Sequence, residues 1–189
     1  MKTFPVNLVL QQMPILVVGG GAVAEEKVAK LLHFLPAITL VSPAINEYFE
    51  HIVNEGKVRY INDVYRKEYL EGQLLVVAAT NDSAVHETIH EDTHQKGILL
   101  NTVDVPSLCD FIFPAMISGE HFVISISTNG KVAGYSRIVR EELEQSIKAE
   151  DEVVEAIEKL RNYFKRKYHT VEERKGKLMK ILRELEEQE

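Results

Sequence analysis

The chain is almost without cysteine. Cys109 stands alone among 189 residues, which excludes an intramolecular disulfide framework and fits a reducing compartment. A lone thiol is more often a small buried hydrophobe than a reactive group. Long apolar runs are also missing. The N-terminal stretch MKTFPVNLVLQQMPILVVGG carries one lysine and an early proline, so neither a signal peptide nor a membrane span is expected, and the chain is placed in the cytoplasm. Positive charge is scarce: 22 Lys and Arg against 29 Asp and Glu give a formal net charge of −7. That balance argues against a nonspecific nucleic-acid binder and leaves room for a local basic patch. There is no internal repeat and no low-complexity linker. What remains, 45% hydrophobic and 27% charged residues, is the composition of a globular protein with one ordinary domain and an appendage, or two small domains.

The first hundred residues alternate strand and helix signals. Ile15 to Val18 is a short apolar run ending in Gly19-Gly20-Gly21, and Val23 to Phe34 follows with helical spacing through Val23, Val28, Leu31 and Leu32. Ala37 to Val41 stops at Ser42-Pro43, and Val58 to Ile61 and Leu74 to Ala79 read as further strands. The last of these, LLVVAA, is apolar on both faces, as a parallel strand covered by helices on both sides must be. Thr80-Asn81-Asp82 supplies capping residues for a helix through Lys96, closed by Gly97, and Ile98-Leu99-Leu100 opens another strand. This order predicts a Rossmann-like, doubly wound α/β domain with a parallel sheet.

After residue 110 the texture changes. Phe111 to Ile117 and Phe122 to Ser127 read as a hairpin around Ser118-Gly119-Glu120, and the signal is helical from about Lys131. Val153, Ile157, Leu160 and Phe164 mark one amphipathic helix; Leu178, Ile181, Leu182 and Leu185 mark another. The expected division is a nucleotide-binding domain over 1–112, a hairpin and helical region over 113–148, and a helical C-terminal domain over 149–189.

Two stretches carry recognisable chemistry. Gly19-Gly20-Gly21-Ala22-Val23-Ala24 has the form G-x-G-x-x-A between a strand and an amphipathic helix, the setting of a dinucleotide fingerprint. Gly19 permits the tight turn, Gly21 lets backbone approach a pyrophosphate, and the N-terminal amides of the helix, from Ala22 and Val23, face the phosphates. The carboxylate that usually holds a ribose at the end of the second strand is absent: Val41-Ser42-Pro43-Ala44 stands there, with Ser42 as the available hydroxyl. No arginine adjoins Ser42, so NAD and NADP both remain open on this ground. The second stretch, His86-Glu87-Thr88-Ile89-His90, matches the H-E-x-x-H core of zinc hydrolases, and His94 extends the row. It lies on the helix between the fourth and fifth strands, and the chain continues Glu91-Asp92-Thr93-His94 instead of with the glycine and third histidine of a metzincin. A solvated polar helix face is therefore expected, with no metal site.

VVGGGAVAEEK at 17–27, VVAATND at 76–82, LNTVDVPSLCDFIFPAMI at 100–117 and ISISTNGK followed by SRIVREELE across 124–144 resemble, in order and spacing, the precorrin-2 dehydrogenase and sirohydrochlorin ferrochelatase family. This is the siroheme-forming module also found as the N-terminal part of siroheme synthase, and the resemblance covers about the first 145 residues. It implies oxidation of the tetrapyrrole precorrin-2 to sirohydrochlorin with NAD as hydride acceptor. Some members then insert ferrous iron, so iron is a partner only where that second activity is retained. The family's catalytic aspartate falls on Asp104, at a strand end where an open α/β sheet places its ligands, and a carboxylate there suits a general base. The implied cofactor contacts fall on Ala22, Val23, Pro43 and Ala44, mostly through backbone, with Thr80 and Asn81 beyond the fourth strand added. The substrate-side loop maps onto Ser127, Thr128, Asn129, Gly130 and Lys131. Arg137 and Arg140 are open to two readings, partners of substrate carboxylates or of Glu141 and Glu144. Where family members often carry a serine and an S-P pair, this chain has Thr128 and Ala133-Gly134. The methyltransferase half of siroheme synthase is expected to be absent, and the resemblance implies a homodimer. The alternative from another class is a nucleotide- or tetrapyrrole-binding regulator without catalysis.

Overall fold

Strand β1 (Pro14–Val18) buries Ile15, Leu16 and Val17 completely, and the reason is that helices cover both faces of its sheet. The computed structural model describes residues 2–186, in two units: Lys2–Phe113, and a second that begins at Pro114. In the first unit β1 is followed by α1 (Ala22–Leu32), β2 (Ala37–Val41), α2 (Glu47–Asn54), β3 (Val58–Ile61), β4 (Leu75–Ala78), α3 (Ser83–Lys96) and β5 (Leu99–Thr102). The strands form one parallel sheet in the order β3-β2-β1-β4-β5. The order in which strands are added reverses between β1 and β4, which makes their carboxyl ends the switch point of a doubly wound fold.

Alternation along each strand divides the core. Ile15, Val17, Leu75 and Val77 pack with Ala24, Val28 and Phe49 of α1 and α2, whereas Leu16, Val18, Val76 and Ala78 pack with Ile89 of α3 and with Leu70. Each fully buried branched side chain contributes about 1.5–3 kcal/mol. Local signals cap the helices, and those of α3 fall where the sequence placed them. Asn46 Oδ1 accepts the Phe49 N–H at 3.2 Å to start α2, Asp82 Oδ1 accepts those of Ala84 and Val85 to start α3, and Gly97, with φ of +67°, closes α3.

The second unit contains the antiparallel pair β6 (Ala115–Ser118) and β7 (Val123–Ile126), then α4 (Ala133–Lys167) and α5 (Val171–Glu186). The strand expected from Phe111 starts four residues later. Asn101 and Asp110 tie this segment to β5, Pro114 has no ladder N–H, and Phe111 and Phe113 pack instead as a ring pair 5.6 Å apart on the α1 and α2 side of the core. Helix α4 runs without interruption through 148–149, the position of an expected boundary. Thr170 and Glu173 form a reciprocal capping box at the start of α5. Ile157 and Leu160 are half-buried along α4 while Phe164 is buried; the side chains of Val153 and Leu185 lie outside the described residues. No helix among the described residues is long and apolar enough to cross a membrane.

Candidate functional site

The three glycines after β1 have different tasks. Gly19 has φ of +116°, and a Cβ there would collide with the Ala79 carbonyl beyond β4. A Cβ on Gly20 would strike the Ala44 carbonyl oxygen and come within 2.9 Å of Ser42 Oγ. Gly20 is therefore the residue that lets the loop seat against the turn after β2, a role hidden by the run of three glycines. At Gly21 a Cβ would meet nothing within 4 Å. That open space lies directly before α1, whose first amides, those of Ala22, Val23 and Ala24, precede the first helical bond from Glu25 to Gly21. An uncovered helix N-terminus beside a side-chain-free residue is a cradle for a pyrophosphate, so the residues present fit a dinucleotide.

The turn after β2 is held from within. Ser42 is buried, and its hydroxyl donates to the Ala44 carbonyl at 2.6 Å; Pro43 and Ala44 are exposed. Asn46 donates from its backbone to Gly20 O and from Nδ2 to Glu25 Oε2 at 2.6 Å, which brings a carboxylate to this end of the sheet. The carboxylate absent from the end of β2 stands instead on the neighbouring helix α1.

Across the switch point, a cavity of about 290 Å³ is lined by Val23 of α1, Thr80 and Asn81 after β4, His86 of α3, and Asp104 and Val105 after β5. Thr80 Oγ1 accepts the Asp82 N–H, and Asn81 is exposed. Asp104 is exposed at the tip of a turn closed by the Val105 N–H and the Thr102 carbonyl, and its φ is +60°. Asp is among the few side chains that tolerate this left-handed backbone, and strain of this kind collects at functional sites. The turn is fastened at its base. Cys109 Sγ donates to the Thr102 carbonyl at 3.1 Å and accepts the Thr102 N–H at 3.2 Å, and Asn101 Nδ2 donates to the Phe111 carbonyl. Burial pushes the Cys109 thiol up, the Thr102 N–H partly offsets this, and Asp110 adds to it.

His86 departs from the expected polar surface. With Ile89 and Thr93 it forms the buried stripe of α3, at 6% exposure, while His94 is exposed and stacks on His90 at 6.0 Å. Of the H-E-x-x-H pair, His86 is buried against the sheet and His90 is half-buried. No group of three His, Cys, Asp or Glu side chains among the described residues is arranged to hold a metal ion. His86 Nε2 and Thr102 Oγ1 are buried at this end of the sheet without hydrogen-bond partners; Gln73 Oε1 is in the same condition elsewhere. Leaving such a group unsatisfied costs about 1–3 kcal/mol.

The second unit holds the remaining predicted residues. Ser127 Oγ accepts the Asn129 N–H and Thr128 Oγ1 accepts the Val132 N–H, while Asn129 and Gly130 have φ of +55° and +75°. Both hydroxyls shape the loop before α4, and Lys131 is exposed. Arg137 pairs with Glu141 at 2.9 Å and Arg140 with Glu144 at 2.8 Å. A larger hollow of about 510 Å³ runs along α5, lined by that one helix alone through Gly176, Met179, Lys180, Arg183 and Glu184.

A parallel sheet with this order, a glycine loop opening onto a free helix N-terminus, and a cavity at the switch point define a Rossmann-type dinucleotide-binding protein. A family model for NAD(P)-binding domains matches residues 6–115. A siroheme synthase of Psychrobacter sp. (strain PRwf-1) is 38% identical over 147 residues, covering 78% of this chain and 30% of that protein. Siroheme synthase 1 of Serratia proteamaculans (strain 568) is 31% identical over 176 residues, covering 93% of this chain and 37% of its own length. Among solved structures, SirC, a precorrin-2 dehydrogenase, superposes with a TM-score of 0.80 at 24% identity, over 95% of this chain and 89% of that one; this likeness establishes the shared fold. The chain belongs to the NAD(P)-binding family represented by the N-terminal module of siroheme synthases, and its cofactor class is a nicotinamide dinucleotide. It spans about a third of the length of the siroheme synthases it matches.

Proposed function

We propose that the protein oxidises precorrin-2 to sirohydrochlorin with NAD as acceptor, and the observation that carries this reading is Asp104, held at the switch-point cavity beside the dinucleotide loop. When bound, the nicotinamide ring accepts the hydride. Gly21 and the amides of Ala22 and Val23 hold the pyrophosphate, Pro43 and Ala44 border the adenosine end, and Thr80 and Asn81 border the cavity. The Asp104 carboxylate takes the proton that leaves as the single hydride is transferred, and its turn keeps it at the mouth of the cavity. Ser127, Thr128, Asn129, Gly130 and Lys131 offer amides and a cation to substrate carboxylates. Arg137 joins them by exchanging its Glu141 partner.

NAD over NADP is supported by the Ser42–Asn46 turn, which has no Lys or Arg, and by the Glu25 carboxylate that Asn46 holds beside it. A 2′-phosphate would meet a like charge there. The protein works in the cytoplasm as a homodimer. The regions 1–112, 113–148 and 149–189 serve cofactor binding, dimerisation and a helical extension. Ferrous iron is a further substrate if the same carboxylate also accepts pyrrole protons.

One coupled assay tests this. Purified protein given precorrin-2 and NAD should produce NADH and sirohydrochlorin together, with a lower kcat/KM for NADP. Dinucleotide binding without turnover would support a non-catalytic regulator instead. Adding ferrous iron afterwards reads the second activity directly.

A further inference from the structure

His86 is buried on the sheet-facing stripe of α3 at the one point where that stripe borders the cavity. Its neighbours on the stripe resolve their burial: Ile89 is apolar, and Thr93 donates its hydroxyl to the Ile89 carbonyl at 2.8 Å. His86 has no such outlet, and its Nε2 is buried without a partner. An imidazole always carries a polar nitrogen on each side of the ring, so a buried one needs partners from somewhere. Nothing on the packed side of α3 pairs with this nitrogen, and the same residue lines the cavity.

The fold says which ligand part arrives there. In a doubly wound sheet the adenosine ribose sits at the end of β2 and the pyrophosphate over the N-terminus of α1. The other end of a dinucleotide then falls toward β4 and β5, where His86 lines the wall with Asp104. A nicotinamide carboxamide offers both a carbonyl acceptor and an N–H donor, which matches either neutral tautomer of an imidazole. We propose that His86 is a cofactor-binding residue that hydrogen-bonds the nicotinamide carboxamide and sets the orientation of the ring relative to Asp104. This rests on the dinucleotide reading of the glycine loop.

The test is calorimetric titration of the full chain and its His86→Leu and His86→Asn variants with NAD and with ADP-ribose, which lacks nicotinamide; NADP and 2′-phospho-ADP-ribose replace them if the wild type prefers NADP. His86→Leu should weaken the complete dinucleotide about five- to tenfold, the equivalent of one hydrogen bond, and leave the truncated ligand within twofold. His86→Asn, which keeps a donor and an acceptor, should recover part of the loss. In the wild type, the His86 imidazole proton resonances should shift with NAD and not with ADP-ribose, a reading that stands even if His86→Leu fails to fold. Unchanged NAD affinity in His86→Leu, equal weakening of both ligands, or resonances indifferent to NAD would each overturn the proposal. A wild type that binds neither ligand would sink the dinucleotide reading itself.

Discussion

Asp110 and Leu100 hold each other twice. The Asp110 N–H donates to the Leu100 carbonyl at 2.8 Å, and Asp110 Oδ2 accepts the Leu100 N–H at 3.0 Å. This clasp closes the loop that carries Asp104 back onto β5, so the position of the proposed base depends on a carboxylate six residues away. Asp110→Ala removes the side-chain half. A charge-assisted hydrogen bond is worth about 1.5–3 kcal/mol, and the exposed part of Asp110 lowers that toward about 1 kcal/mol. The expected result is a lower urea midpoint together with a reduced kcat, while the affinity for ADP-ribose stays the same. A variant with lowered stability and full kcat would show that the loop keeps its geometry without the clasp.

Asp104 itself should show the opposite pattern. Its φ of +60° is a conformation that glycine adopts freely. Asp104→Gly relieves the backbone and gives up the side chain, and glycine's larger unfolded-state entropy offsets part of the gain, leaving a change between zero and about 1 kcal/mol in favour of the variant. Thermal unfolding should show no loss of stability, and precorrin-2 oxidation should fall to background. Asp104→Asn, which tolerates the same backbone, should be equally inactive with unchanged stability. Substantial turnover in either variant would remove Asp104 from the mechanism.

The glycine loop separates packing from binding within two adjacent positions. Gly20→Ala forces a Cβ into the Ala44 carbonyl and the Ile45 side chain, and overpacking against backbone costs ~2 kcal/mol or more. Gly21→Ala meets open space, so the apo protein should unfold at the wild-type temperature or slightly above it. The added methyl group then occupies the room that the pyrophosphate needs. Calorimetry should find a tenfold or greater loss of NAD affinity in Gly21→Ala, with a melting curve matching the wild type, whereas Gly20→Ala should melt several degrees lower.

These contrasts mark how far the residues alone could be read. The parallel sheet was legible because LLVVAA at 74–79 is apolar on both faces and because the helices between strands carry their own caps at Asp82 and Gly97. The glycine turn between β1 and α1 was legible because glycine spacing has a local signature, whereas Asp104 was singled out by the family resemblance and not by a local signal. The rest depends on contacts distant in sequence. Glu25 reaches the end of β2 through Asn46, 21 residues away. Asn101, Cys109 and Asp110 fasten a loop that reads locally as an ordinary turn. His86 was misread as surface because polar residues surround it and α3 has little amphipathic contrast, so only its place on the sheet shows it as buried.

Cys109 offers a pH signature of the same loop. Its thiol is raised above its ordinary value of 9.0, first by burial. The folded state therefore keeps this proton at a pH where the unfolded chain has released it. Well below that ordinary value both states are protonated and the contribution is fully present; as pH climbs through it toward the folded value, the unfolded state binds fewer protons and stability is lost. Other groups titrate in this range, so the comparison is with Cys109→Ala. Urea midpoints at pH 7.5 and 9.5 should fall more for the wild type than for the variant. At pH 8 the native thiol should also react with iodoacetamide more slowly than the same thiol in denaturant, because the thiolate is the reactive form. Equal pH slopes in wild type and variant would mean that the thiol ionises as easily in the folded loop as in the open chain, and that burial does not shield it.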